Sequence, residues 1–357
     1  MRVRPLVLVG LVAVLVLTGC SPTPEESPTP TASSVPTPSP TPTPEPIVAP
    51  DAAFDVTCAD VADAVENLLG TSVGAVEDVL GVTSSPNWHP GPAQHMMQRA
   101  GGIGCSAGDA EQFDPDSAPA DHWSIAIVPD AQALIDGAVE RGAGDAGTEG
   151  VYCQEGSCIF TLRESDILLT GSVWSPGLAE GSGDGVRGAM AGLLASAADS
   201  VRDFEYGESK IAGVRCETLL TAEEVAEHLG THTEIVDFTR LGGWGIPAEV
   251  YYVKDGGQYC MYAEGQDVYN DATFVSITTL PAGAWAFENL ESGSAVEVAG
   301  ADAALAGVDY YGQSILDVRV GLDWLRFATP AEQDDSAMIP LAEMAIEHFT
   351  RGRPAPQ

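Results

Sequence analysis

The sequence predicts an α+β protein made of two tandem homologous domains, each an antiparallel sheet with packed helices and each stapled by a disulfide. Three observations lead there. An ungapped segment recurs, Pro92-Ala-Gln-His-Met-Met-Gln-Arg-Ala-Gly-Gly-Ile-Gly-Cys105 against Pro247-Ala-Glu-Val-Tyr-Tyr-Val-Lys-Asp-Gly-Gly-Gln-Tyr-Cys260. It keeps the proline, an alanine, the glycine pair, the cysteine and one basic position. On both sides of it the same succession of helical and extended segments follows, and cysteines fall at equivalent places. The first copy is placed at 51–206 and the second at 207–351, ahead of a tail at 352–357; copies of this length are ordinary domains.

Each copy opens with a cysteine on a short amphipathic helix ended by glycine, Cys58 to Gly70 and Cys216 to Gly230. Thr221 and Glu224 have the spacing of a capping box, which marks a helix start in the second copy. Trp123 to Pro129 and Phe274 to Pro281 read as strands closing on a proline, and helices follow at Asp130 to Arg141 and Ala282 to Leu290. Hairpins are expected over Gly150 to Leu162 and Gly307 to Arg319, with further strands at Ile167 to Trp174 and Leu322 to Ala328. A last helix closes each copy, Val186 to Arg202 and Ser336 to Phe349. Equivalence then pairs the cysteines copy by copy, Cys58 with Cys105 and Cys216 with Cys260. The remaining pair, Cys153 and Cys158, brackets a hairpin tip; a zinc site there is set aside because it needs four ligands and no second pair is spare.

At the N-terminus Arg2 and Arg4 precede an apolar run from Leu6 to Leu17. A spanning helix needs about 20 apolar residues. This run ends sooner, at Leu17-Thr18-Gly19-Cys20, and resembles the lipobox of bacterial lipoproteins. That resemblance implies a signal peptide at 1–19 and lipid attachment at Cys20, which would become the mature N-terminus. Residues 21–50 are rich in Pro, Thr and Ser with no apolar face to bury, so they are expected to form an extended polyproline stalk. At 3.1 Å per residue it would reach about 90 Å. The expected location is the extracytoplasmic face of a cell membrane, held by the lipid.

The net charge of −37 excludes nucleic acid as a partner and disfavours anionic lipid surfaces. Dispersed carboxylates also serve solubility. Seven cysteines in an exported chain leave six for disulfides once Cys20 is set aside. The lipobox, the stalk, and two domains marked by Cys58, Leu69-Gly70 and Cys105, then Cys216, Leu229-Gly230 and Cys260, resemble an uncharacterised actinobacterial lipoprotein domain family. The resemblance implies a cell-surface protein; it carries over no catalytic residue.

No established catalytic signature is present, and no catalytic residue, metal site or cofactor is expected. The glycines of Arg141 to Gly147 lack the strand-then-helix context of a dinucleotide fingerprint. His228 and His232 stand four apart but Gly230 lies between them, and His89 and His95 lie in a loop without a third ligand. The acids Asp109, Asp114, Asp116 and Asp121 lack the glycine and terminal glutamate of a calcium loop. Tyrosine gathers in the second copy. Together with a loop tryptophan, Trp244, Tyr251, Tyr252, Tyr259, Tyr310 and Tyr311 are the candidate ligand-binding residues, amphipathic aromatics that also favour strands. The expected role is a binding or sensing module of the envelope, whose partner is a cell-wall component, a small ligand or an envelope protein. A hydrolase using paired carboxylates on a wall or glycan substrate and a structural envelope-assembly protein are the alternatives.

Overall fold

The computed structural model describes residues 47–81, 91–108, 121–143, 149–238, 245–309, 311–330 and 337–351. Cys20, stalk residues 21–46, His89, the acids at 109, 114 and 116, Trp244 and Tyr310 lie outside them. Residues 46–357 form one compact unit. No helix among the described residues is long and apolar enough to cross a membrane.

The first repeat runs α1 (Cys58–Leu69), β1 (Val76–Glu77), a 3-10 turn at Pro92–His95 leading into α2 (Met96–Arg99), β2 (Ile103–Ala107), β3 (His122–Pro129) and α3 (Ala131–Glu140). It continues through β4 (Gly150–Gln154), β5 (Ser157–Glu164), β6 (Ile167–Trp174) and α4 (Gly183–Ser200). The second repeat runs α5 (Cys216–Leu219), α6 (Ala222–Leu229), β7 (Glu234–Ile235), α7 (Ile246–Ala248), a π-helical turn at Glu249–Lys254, β8 (Tyr259–Ala263), β9 (Thr273–Leu280) and α8 (Ala284–Phe287). It ends with β10 (Ser294–Ala295), β11 (Ala303–Val308), β12 (Ser314–Val320), β13 (Asp323–Thr329) and α9 (Met338–Arg351).

Both sheets are antiparallel and share one strand order. The first reads β1-β2-β3-β6-β5-β4; the second reads β7-β8-β9-β13-β12-β11 with β10 added at the edge. The registers agree as well. Cys105 lies opposite Ile125 and Cys260 opposite Ile277, each isoleucine four residues ahead of the proline that follows in the chain, Pro129 and Pro281. The residue after each proline takes a left-handed conformation, Asp130 at φ 67° and Ala282 at φ 51°. Two non-glycine residues at equivalent positions in a disfavoured conformation mark a turn imposed by the shared topology.

Helices α1 and α6 each begin with a capping box. The Thr57 hydroxyl accepts from Asp60 N–H, and Thr221 does the same for Glu224. The single helix expected over Cys216 to Gly230 is split in two, because Leu220 is extended and Thr221 restarts the helix as its N-cap. The helix expected over 282–290 shortens to α8. All three disulfides join the expected partners, Cys58 with Cys105, Cys216 with Cys260, and Cys153 with Cys158.

Each sheet buries one face under its own helices. Val61 and Val65 of α1 and Met190 of α4 pack with Ile125 and Leu169; Leu341 and Ile346 of α9 pack with Ile277 and Phe327. The opposite faces meet the other repeat. The segment from Pro92 to Arg99, read from the sequence only as part of the repeat, is a helical insert that lies on β9 and β13 of the second sheet. Its equivalent from Ile246 to Lys254 packs on α2 and α3. Val250 of that insert is fully buried in one cluster with Ala126, Val128 and Leu168 of the first sheet. The two inserts therefore interlock the repeats reciprocally through a shared apolar core.

The two contacts have diverged. Register places Asp317 and Arg326 where the first repeat has Thr161 and Thr170, and Trp324 where it has Leu168. Arg326 grips Asp317 with Nε at 2.7 Å and Nη2 at 2.9 Å, and Trp324 Nε1 donates to the same carboxylate at 2.8 Å. His95 of the first insert meets this group, its ring 5.3 Å from Trp285 and 5.8 Å from Trp324. At the other contact the equivalent insert residue is Val250, and the sheet offers the Thr161–Thr170 hydroxyl pair.

Candidate functional site

The seam between the repeats opens on one side into a cleft of about 700 Å³. Its first wall is the end of α3, with Ala138 and the C-cap residue Arg141. Its second is built by the insert of the second repeat, with Ala248, Glu249 and Tyr252. Strands β7 and β8 with the chain after β7 give Ile235, Val236, Phe238 and Tyr259, and α5 closes the end with Cys216 and Glu217 beside Arg215. A hollow of this size, apolar and aromatic with a few polar groups, has the form of a small-molecule site.

The local geometry follows from the winding of the insert. Pro247 sits at the start of a helical turn, where its missing N–H is not needed. The turn then widens into a π-helix in which Asp255 N–H reaches back to Val250 O at 2.8 Å. Such wide turns are uncommon and gather at functional sites. In the first repeat the equivalent residues wind as a 3-10 turn and an α turn.

Glu249 is almost fully buried and forms an ion pair with the half-exposed Arg141 that caps α3, so one charge pair ties the two repeats together inside the cleft. Gly137 makes room for it, since a Cβ there would run into a Glu249 carboxylate oxygen. At the mouth Arg215 pairs with Glu217 at 3.0 Å. The Phe238 and Tyr259 rings stand 5.2 Å apart, and Tyr252 meets Tyr251 edge-on at 5.0 Å. Burial pushes the Tyr252 and Tyr259 hydroxyls well above the usual phenol range, so both remain neutral at physiological pH.

Of the six aromatic residues singled out from the sequence, Tyr252 and Tyr259 line the cleft. Tyr251 is a core residue; its hydroxyl donates toward Gln258 O and Thr279 O, both at 2.8 Å, and accepts from Thr279 N–H at 3.1 Å. Tyr311 is half exposed on the β11–β12 turn and is not among the residues that line the cleft. Trp244 and Tyr310 lie outside the described residues. Sequence reasoning missed Phe238, Arg141 and Glu249. Glu249 replaces Gln94 of the first repeat, and that gain of charge inside an otherwise matching segment was the available signal.

His228 does not share a ligand position with His232: its Nε2 lies 3.0 Å from Ala337 O, while His232 approaches Glu234 at 3.5 Å. Among the described residues no group of three or more His, Cys, Asp or Glu could hold a metal ion. A larger hollow of about 1090 Å³ lies between α1 and α4. Its lining includes the small residues Gly185, Ala189 and Gly192 and the exposed acids Asp60, Asp63 and Asp199, and among the described residues it offers no aromatic wall and no buried charge.

Fold and site together define a class, a two-repeat α+β protein whose interlocked halves enclose an aromatic cleft. No family model, curated protein or solved structure matches the chain.

Proposed function

We propose that this protein is a lipid-anchored binding module of the cell envelope and that the cleft between its repeats holds the ligand. The observation that carries the reading is the cleft itself. It is concave, walled by Phe238, Tyr252 and Tyr259, and holds one charge pair contributed by both repeats, the buried Glu249 carboxylate and the half-exposed Arg141. Aromatic walls supply contact area at little entropic cost, and a few fixed polar groups supply orientation. The lipobox resemblance at Cys20 supports placement on the outer face of the membrane, and two or more acyl chains give a durable anchor where one does not. In this reading the stalk sets the distance from the lipid and the partner is a wall component or a small ligand.

A thermal-shift screen of the mature protein against wall fragments and small amphiphiles tests it. Ligands that raise Tm in the wild type should lose that effect in Tyr252→Ser and Phe238→Ser. A screen with no response, or one whose responses survive both substitutions, overturns the reading.

A further inference from the structure

Resting on the cleft as the ligand site, we infer that its ligand is an organic cation, an ammonium or guanidinium group carried on an apolar or aromatic body. The described lining supplies three aromatic rings, from Phe238, Tyr252 and Tyr259. An aromatic face attracts a cation within about 6 Å of its centre, most strongly where water is excluded. Among the described lining residues three are carboxylates, Glu217, Asp237 and Glu249, against two guanidiniums, Arg141 and Arg215. Both guanidiniums already hold a carboxylate, Arg141 with Glu249 and Arg215 with Glu217. An anionic ligand would have to displace one of those carboxylates. A cation can share a carboxylate with the guanidinium that already holds it.

The depth of Glu249 strengthens the case. Its side chain is about 6% exposed while that of Arg141 is 46% exposed, so the carboxylate is fixed in the wall and the guanidinium reaches it from the open side. An entering ammonium can share Glu249 as Arg141 swings toward solvent, at little cost because Arg141 is already half hydrated. The opposite exchange, an anion drawing Arg141 away, would leave Glu249 buried without its partner, which is costly. The whole molecule acts in the same direction. A net charge of −37 concentrates cations at its surface and repels anions before contact.

The experiment uses three probes of nearly one shape on the mature chain: phenyltrimethylammonium, its neutral isostere tert-butylbenzene, and the anion benzenesulfonate. Binding is followed by tyrosine fluorescence and by hydrogen exchange of residues 246–260. Phenyltrimethylammonium should bind at least tenfold more tightly than either of the others. Glu249→Gln and Tyr252→Leu should each weaken the cation about tenfold and leave the isostere within a factor of two. Circular dichroism of the variants keeps a folding defect apart from a binding defect. Equal or stronger binding of the isostere or the anion, with cleft protection, overturns the cation assignment and leaves the cleft reading intact. If none of the three protects the cleft at millimolar concentration the cation assignment falls, and the cleft reading is then decided by the wider thermal-shift screen.

Discussion

His95 offers a test of the interlocked seam that needs no ligand. Its imidazole is carried by the first insert into a site formed by Trp285, Trp324 and Arg326, with Asp317 behind the arginine. Nδ1 is buried without a hydrogen-bond partner among the described residues. Burial first, and the Arg326 guanidinium second, push its pKa from 6.5 down to about 4. The folded protein therefore holds His95 neutral while the unfolded chain takes up a proton below pH 6.5. Stability owed to this site is intact above 6.5 and declines as the pH falls toward 4, below which both states are protonated. At about 1.4 kcal/mol per pH unit the full decline is about 3 kcal/mol. The control substitution is His95→Val, since valine occupies the equivalent position as Val250. Urea unfolding of both proteins at pH 7.5, 6, 5 and 4 gives the difference in stability at each pH, and every other titrating group cancels in that difference. The variant should gain about 2 to 3 kcal/mol relative to wild type between pH 7.5 and 4. Parallel stability profiles would refute the placement of a neutral histidine in the seam.

Three further outcomes follow from the same packing. Asp317→Thr alone should destabilise by about 3 to 5 kcal/mol because Arg326 is left buried and unpaired, whereas Asp317→Thr with Arg326→Thr, which installs the Thr161–Thr170 pair of the first repeat, should recover part of the loss in chemical denaturation, the rest being the Trp324 N–H left without its acceptor. Gly137→Ala, which in an exposed helix gains about 1 kcal/mol, should lower Tm instead and reduce ligand response, because its Cβ intrudes on Glu249. Removing Cys153 and Cys158 together should cost about 2 kcal/mol, against about 4 kcal/mol for Cys58 and Cys105, since the closed loops span 5 and 47 residues. Calorimetry of the two double serine variants measures both.

The repeat was legible because its punctuation is chemical: Cys58 and Cys216 open each copy, Gly70 and Gly230 end the first helices in the left-handed conformation, and Pro129 and Pro281 follow equivalent strands. Those residues are constrained locally, so they survive in both copies and place the elements between them. The inserts were not legible as helices. Eight residues such as Pro92 to Arg99 are too short to show a helical period, and their winding is decided by burial against the other repeat. Tyrosine enrichment pointed at the correct copy but mixed two roles. Tyr251 and Tyr252 are neighbours in sequence, yet the π turn sends one hydroxyl into the core toward Thr279 and presents the other ring to the cleft. Arg141 and Glu249 come from different repeats, and only the tertiary fold brings them together.

Hydrogen–deuterium exchange on the protein, with and without a ligand that raises its Tm, addresses the central claim most directly. Protection is expected in three separated segments, 131–141 of the first repeat and 234–238 and 246–260 of the second, which come together at the cleft. Protection confined to α1 and α4, or to the β11–β12 turn, would contradict the claim that the cleft between the repeats is where this protein binds.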